Sequence, residues 1–399
     1  MNLYKVFISS KIELSKTEDN QTFFENGEML KKLEEDEKVD KTDFELLVKR
    51  NVSDFINRSF DNIVVLAGAG SSVVNNQEGN INEEFGKTVL MIAKDIDFKL
   101  GIGSEFFSLQ DLADMSKYSV DVKINEGEFN NDFNLEDFLS NLITFEKYVS
   151  EETKEKYIKT KDKIFELIKN NTSYSFDEEK LKHATFINTL AKKVKTPNKL
   201  SIVTTNYDTL FEEAAESINY TVIDGFSFSH NPYFDSDLFE WSLVKDVPDI
   251  KTKEFQYKKN IFNLLKIHGS ITWEESESKI RRKNKDAVNK PIMIFPSSNK
   301  YMQSYQEPYF ELFSKFQNLL KKPNTLLITT GFSFADNHIA QMIVQAITHN
   351  TSLSVLISDY NIEHDTENWN KLVTLMEQKH QIAFLSATMD GNLINCLGD

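Results

Sequence analysis

Short runs of β-branched and apolar residues recur along the chain, separated by segments with an apolar residue every three or four positions. The runs are apolar at nearly every position, which is typical of strands buried on both faces of a parallel sheet. Alternation of such strands with helices indicates an α/β fold with a doubly wound, Rossmann-type sheet. The predicted strands are Ile63–Ala67, Ser201–Thr204, Leu264–Ile267, Ile292–Phe295, Thr325–Thr330, Leu353–Ile357 and Ile382–Leu385.

Three segments carry the apolar stripe of a helix that packs on a core. The first runs from Thr42 to Phe60 and starts with capping-box spacing, the second follows Asn134 as its N-cap, and the third starts near Tyr207. Their stripes are Leu47, Val48, Val52, Phe55 and Ile56; Leu135, Phe138, Leu139, Leu142 and Ile143; and Tyr207, Leu210, Phe211, Ala214, Ala215 and Ile218.

The spacing of the strands suggests how the chain is divided. Residues 72–200 separate the first two strands and are too long for a loop, so we expect an inserted helical subdomain, with a second, less regular insertion at 219–262. Residues 1–60 form an N-terminal segment and helix, 61–390 the sheet domain, and 391–399 a tail. Residues 15–41 are polar and acidic with no apolar period, so we expect them to be weakly ordered.

Charge and cysteine content narrow the function classes. The net charge of −16 disfavours phosphate binding over the whole surface. Cys396 is the only cysteine, which excludes an internal disulfide and a four-cysteine zinc site. Neither a membrane-spanning apolar run nor a signal peptide is evident, so a cytoplasmic protein without membrane association is expected.

The segment Gly68-Ala69-Gly70-Ser71-Ser72 directly follows the first predicted strand. Glycines at such a turn let the backbone approach a phosphate, and a following helix would offer free N–H groups and the positive end of its dipole. Val73 stands where a dinucleotide fingerprint has its third glycine. A tight strand-to-helix turn without a ligand would show the same pattern, so both interpretations stay open.

Polar side chains follow the next two strands, where ligands of open α/β sheets bind. Thr205, Asn206 and Asp208 follow Thr204, and this amide and carboxylate could grip ribose hydroxyls or hold a water, or simply cap a helix. His268 follows a later apolar run, beside Gly269. Histidine often acts as a general base near neutral pH, although a structural histidine is the alternative.

A fourth motif, Gly331-Phe332-Ser333-Phe334-Ala335-Asp336, follows the strand Thr325–Thr330. Gly331 and Ser333 could approach a diphosphate or a ribose, whereas Asp336 is predicted to cap the next helix.

Together, and in this order, the four motifs resemble those of the sirtuin superfamily. Gly68-Ala69-Gly70-x-Ser72 is similar to its dinucleotide loop, Asn206 and Asp208 to its catalytic and ribose-binding turn, His268-Gly269 to its general-base motif, and Gly331-x-Ser333 to its second phosphate and ribose loop. The residues that flank these motifs, including Trp273 after His-Gly-Ser, resemble those of the bacterial sirtuin-like NADases of antiphage defence.

Two departures from sirtuin deacylases bear on the substrate. The two cysteine pairs that bind zinc are missing between Glu274 and Lys290, and Val73-Val74-Asn75-Asn76 stands where the family has Pro-Asp-Phe-Arg. A basic run replaces the zinc module: Lys279, Arg281, Arg282, Lys283 and Lys285. The resemblance therefore implies an NAD⁺ glycohydrolase without zinc, with a protein deacylase and a non-catalytic nucleotide-sensing or assembly module as alternatives.

The resemblance also implies roles and partners. NAD⁺ would be the substrate, Asn206 would position the ribose or water, Asp208 would face the ribose and nicotinamide, and His268 would be the general base. Ala69, Ser72, Thr205 and the glycine loops would hold the nucleotide. Because uncontrolled NAD⁺ loss would kill the host, we expect a homo-oligomer regulated by assembly, with a HerA-type hexameric ATPase as the candidate partner.

Overall fold

The computed structural model describes residues 3–31, 39–75, 81–82, 84–102, 104–124, 127–130, 132–247, 255–293 and 308–398. Its strands are β1 (Leu3–Ser9), β2 (Glu13–Thr17), β3 (Phe23–Glu25), β4 (Glu28–Met29), β5 (Asn62–Ala67), β6 (Lys123–Ile124), β7 (Glu128–Phe129), β8 (Leu200–Thr204), β9 (Thr221–Ile223), β10 (Val244–Asp246), β11 (Phe255–Tyr257), β12 (Ile261–Lys266), β13 (Gly269–Ser270), β14 (Trp273–Ser276), β15 (Lys279–Arg282), β16 (Ile292–Met293), β17 (Thr325–Thr330), β18 (Leu353–Asp359) and β19 (Ile382–Ser386). Its α-helices are α1 (Lys41–Ile56), α2 (Val89–Gly101), α3 (Leu109–Ser116), α4 (Leu135–Phe145), α5 (Glu151–Thr172), α6 (His183–Ala191), α7 (Leu210–Ser217), α8 (Tyr309–Lys321), α9 (Asn337–His349), α10 (Glu367–Glu377) and α11 (Leu393–Leu397).

The centre of the molecule is an 11-stranded sheet in the order β4-β3-β2-β1-β19-β18-β17-β5-β8-β12-β9. Strands β19 to β9 of this order run parallel, whereas β1 to β4 add an antiparallel meander beside β19. Strand β5 comes first among the parallel strands and lies in their middle, with β8 on one side and β17 on the other. The strand order therefore reverses at β5, which confirms the predicted doubly wound α/β fold.

Helices cover both faces of the parallel sheet. Along β5, Ile63 and Val65 point into one apolar cluster and Val64 and Leu66 into the other, because side chains alternate along a strand. The first cluster contains α1, α6, α7 and α11, and the second contains α8, α9 and α10. A third cluster is built from α2 to α5 and includes Tyr207. This helical unit thus packs on the turn that follows β8.

Most predicted strands are found in the central sheet close to their predicted bounds. The strand predicted at Ile292–Phe295 is present over Ile292–Met293 as β16, but it pairs with β13 and does not belong to the main sheet. Residues 294–295 lie outside the described residues. The apolar run there is explained by local packing, since Ile292 contacts the second cluster from its margin.

The prediction that residues 15–41 are weakly ordered is wrong for the part that the structure describes, since β2, β3 and β4 lie there. Phe23 is buried and stacks on Phe44 of α1 with ring centroids 4.4 Å apart. Only a few apolar side chains anchor these short strands, so the segment looks polar in sequence. The meander covers the edge of the parallel sheet at β19, whose backbone groups would otherwise be open to pairing. Residues 32–38 of the predicted segment lie outside the described residues.

The predicted helices are present, with one different cap. Asp40 caps α1 by accepting from the Asp43 amide at 2.9 Å, so the predicted capping box at Thr42 is wrong by two residues. Asn134 caps α4 as predicted.

Candidate nucleotide site at the strand ends

Four neighbouring strands end in register at one edge of the sheet. Thr330 of β17 pairs with Ala67 of β5, Ala67 pairs with Thr204 of β8, and Thr204 pairs with Lys266 of β12. Each of the four sequence motifs begins at or just after this row. Because the strands are parallel, the segments that follow them lie side by side, in the crevice where the strand order reverses.

The two glycine loops are in direct backbone contact. The Gly68 amide donates to the Thr330 carbonyl and the Gly70 amide to the Gly331 carbonyl, both at 3.0 Å. Gly331 has φ +61°, and a Cβ atom added to it would lie 2.1 Å from the Ser71 nitrogen. Glycine is therefore required at these positions by the packing of one loop on the other.

The α-helix expected directly after the first glycine loop is not there. Ala69–Ser71 forms a single 3₁₀ turn, and α2 begins only at Val89. The turn closes on itself, because the Ser71 and Ser72 amides donate to the carbonyls of Gly68 and Ala69. Exposed Ala69 lies at the rim of the crevice, as does exposed Ser333 on the facing loop. The prediction of a helix N-terminus with free N–H groups after Gly68 is therefore wrong, and a compact turn is found in its place.

Ser72 links the two polar residues of the β8 turn. Its hydroxyl donates to Asp208 Oδ2 at 2.9 Å and accepts from Asn206 Nδ2 at 2.9 Å. All three side chains are buried. Asp208 also accepts from the Leu210 amide at 3.1 Å, at the start of α7, so it holds the helix start as well as the serine. Burial raises the pKa of the Asp208 carboxyl, and the charge of Lys266 partly offsets this.

A buried ammonium group lies beneath the same turn. Lys266 at the end of β12 is 1% exposed, and its Nζ donates to the Asp208 and Tyr207 carbonyls. The same Nζ forms an ion pair with Glu212 Oε1 at 3.0 Å. Lys266 therefore fixes the backbone that carries Asn206 and Asp208. Sequence reasoning gave this residue no role, although a lysine inside an apolar strand already indicates a buried partner.

His268 follows β12 by two residues, as Asn206 follows β8, so the strand register brings the two into the same crevice. His268 is 3% exposed, and its Nε2 lies 3.3 Å from Asp336 Oδ2. Neither ring nitrogen makes a hydrogen bond of good angular geometry with a described residue. Asp336 caps α9 as predicted, but its approach to His268 was not foreseen.

Every cation of the predicted basic run has a partner within its own chain, in and after the hairpin β14–β15. The partners are the Tyr233 ring for Lys279, Glu277 for Arg281, Asp224 for Arg282, Glu274 for Lys283 and Glu213 for Lys285. The run is therefore a structured, largely neutralised hairpin and not a free basic loop.

The described residues contain neither a metal-binding cluster nor a helix suited to a membrane. No group of three or more His, Cys, Asp or Glu side chains is arranged to hold a metal ion there. Within the same ranges, no helix combines the length and apolarity that a membrane crossing requires.

The fold and the site together define a doubly wound α/β protein with a polar crevice at its topological switch point. The model of the SIR2-like domain family matches residues 200–379, which include the β8 turn, His268 and the Gly331 loop. This match supports a Sir2-type family for the chain and is consistent with an NAD-dependent enzyme. No curated protein is similar enough to the chain to give a match.

Proposed function

We propose that the chain hydrolyses NAD⁺ to nicotinamide and ADP-ribose in this crevice. The observation that carries the proposal is the burial of Asn206, Asp208 and His268 at the ends of two adjacent strands, where His268 makes no well-aligned hydrogen bond to a described residue. Buried polar groups are almost always satisfied, so an imidazole left this way suits a site that a polar ligand completes.

The proposed chemistry follows from these groups. Cleavage of the bond between C1′ of the ribose and the nicotinamide nitrogen leaves positive charge on the sugar, which nearby oxygen acceptors stabilise. Asn206 would position the ribose or the attacking water, Asp208 would face the ribose and nicotinamide, and His268 would take a proton from the water. A positioned base contributes about 10²–10⁴-fold in rate.

The remaining predicted residues would hold the rest of the dinucleotide. Gly68 and Gly70 have their amides engaged with the loop of Gly331, so the two loops would act as one platform for the diphosphate. Ala69, Thr205 and Ser333 are at least partly exposed at the rim and would contact the nucleotide from there, with Ser72 behind them.

Hydrolysis is favoured over protein deacylation by the cysteine content and by the hairpin β14–β15. Cys396 is buried in α11, in the apolar cluster that contains α1, and the segment 274–290 has no cysteine. We therefore propose that zinc has no part in folding or turnover. Stoichiometric zinc in the purified protein, with stability lost on chelation, would contradict this.

Three incubations test the proposal: NAD⁺ alone, an acetylated peptide alone, and the two together. The proposal expects nicotinamide and ADP-ribose from NAD⁺ alone and no deacetylated peptide in any sample. Nicotinamide release that requires the peptide would indicate a deacylase. Binding of NAD⁺ without release would indicate a nucleotide-sensing or assembly module.

We further propose that this activity depletes NAD⁺ in the cytoplasm during antiphage defence, in a homo-oligomer controlled by a HerA-type ATPase. The support is the toxicity of uncontrolled NAD⁺ cleavage. Light scattering at several concentrations, with turnover measured with and without the product of the neighbouring gene, tests both parts. A monomer that consumes NAD⁺ at full rate alone would contradict them.

A further inference from the structure

The loop between β17 and α9 is held in a strained conformation. Phe334 has φ +59°, a left-handed conformation that costs a bulky L-residue about 1–2 kcal/mol. Its buried ring packs against Phe332 and Trp369, with centroids 5.0 Å and 5.8 Å away, and its carbonyl accepts from Asn368 Nδ2 at 3.0 Å. Strain of this kind persists only where the surroundings fix it, and it is concentrated at functional sites.

This loop places the Asp336 carboxylate in contact with both the start of α9 and His268. Its Oδ1 accepts from the His338 and Ile339 amides at 2.9 Å and 3.2 Å, which caps α9. Its Oδ2 lies 3.3 Å from His268 Nε2, and the two side chains are 7% and 4% exposed. One carboxylate therefore joins the second glycine loop to the proposed general base.

From this geometry we propose that Asp336 is a positioning residue for His268, an inference that rests on the proposed function. The helix fixes one carboxylate oxygen, so the other oxygen stays beside the imidazole as a fixed negative charge. The carboxylate holds the ring in place and stabilises the imidazolium that forms when His268 takes a proton. Hydrogen bonds of this kind tighten when the substrate is bound, which agrees with the loose alignment seen here.

In the proposed hydrolysis, water gives a proton to His268 and its oxygen forms a bond to C1′ of the ribose. The bond from C1′ to nicotinamide breaks, and its electron pair leaves with the nicotinamide nitrogen, which becomes neutral. His268 then returns the proton to solvent.

The variant Asp336→Asn separates the two contacts, because asparagine caps helices as well as aspartate does but carries no charge. We expect stability close to wild type, a kcat lowered about 10²-fold through loss of positioning, and a KM nearly unchanged. Asp40→Asn is the matched control, since Asp40 also caps a helix, by accepting from the Asp43 amide, and lies in none of the four motifs. This control should leave kcat unchanged.

The pH dependence of kcat provides a readout that a merely structural role would not give. If Asp336 acts through His268, loss of its negative charge in Asp336→Asn makes the imidazole a weaker base. The acidic limb of the pH–kcat profile then moves to lower pH, whereas Asp40→Asn leaves that limb in place. If the wild type is active and Asp336→Asn keeps the full kcat, this inference is overturned but the proposed function is not. A well-folded wild type that never releases nicotinamide would overturn the proposed function, and the inference with it.

Discussion

The amide of Gly70 donates to the carbonyl of Gly331 at 3.0 Å, so loops from distant parts of the chain meet backbone to backbone. Their sequences suggested two independent phosphate loops. The structure joins them into one surface at the switch point of the sheet, and small side chains are required because there is no room between them.

This contact predicts that Gly331→Ala lowers the free energy of unfolding far more than a glycine-to-alanine substitution at another left-handed position. Alanine at Gly331 adds a backbone clash to the cost of a left-handed residue. Gly27 has φ +81°, but no atom of the described residues lies within 4 Å of an added Cβ, so Gly27→Ala should cost only about 1–2 kcal/mol of unfolding free energy. Urea unfolding of both variants measures the difference. Equal losses would show that the two loops are not packed as described.

The link through Ser72 predicts a combined effect on stability and turnover. Ser72→Ala removes a hydroxyl that both Asn206 and Asp208 contact, and leaves the buried carboxylate with one partner fewer. We expect a loss of about 1–3 kcal/mol in unfolding free energy. Displacement of the turn should lower nicotinamide release by about 10²-fold.

Ser116→Ala is the matched control for this prediction. Ser116 is also buried, and among the described residues its hydroxyl has a single long hydrogen bond, to the Ala113 carbonyl in α3. Full turnover by a folded Ser72→Ala protein would show that the serine does not organise the site.

The buried position of Lys266 predicts a large stability loss in Lys266→Met. The substitution removes the ammonium that donates to the Asp208 carbonyl and pairs with the Glu212 carboxylate. Removing one partner of a buried ion pair costs about 3–5 kcal/mol, and we expect the lower end because the Glu212 side chain is 27% exposed. Lys371→Met, which breaks the exposed pair with Glu367, should cost at most about 1 kcal/mol. Similar urea midpoints for the two variants would contradict this account of Lys266.

The burial of His183 predicts that the free energy of unfolding decreases at acidic pH, independently of the proposed NAD⁺ site. It is fully buried against Phe211, and burial lowers its pKa from 6.5 to about 3. Between these values the unfolded chain binds a proton that the folded chain does not, so stability falls as pH decreases from about 6.5 toward 3. The slope from this one group is at most about 1.4 kcal/mol per pH unit.

In His183→Leu this contribution to the slope should disappear, whereas His230→Leu at an exposed position should keep it. Unfolding free energies measured across this pH range decide the matter. An unchanged slope in His183→Leu would show that His183 is not the group responsible.

The sequence was informative wherever one local pattern determines the structure. Apolar runs such as Thr325–Thr330 predicted buried strands, and their ends located Asn206 and His268 at the correct edge of the sheet. What it could not predict depends on contacts between distant segments. The approach of Asp336 to His268 joins a helix cap to a strand end. The sequence explains each residue by its own local role, so neither one indicates the contact between them.

The N-terminal meander was missed for a related reason. Its strands are short and mostly polar, and their order comes from pairing with each other and with β19. The pairing of the basic run in and after the hairpin β14–β15 was likewise not predictable, because partners of its cations, such as Asp224, lie elsewhere in the chain.

The most direct test of the central claim is a time course of nicotinamide and ADP-ribose release from NAD⁺ without any peptide. It compares the wild-type protein with Asn206→Ala and His268→Ala, each first shown to be folded by its unfolding transition. The account predicts equal amounts of both products from the wild type and loss of both in either variant. Full turnover by a well-folded Asn206→Ala or His268→Ala protein would contradict it.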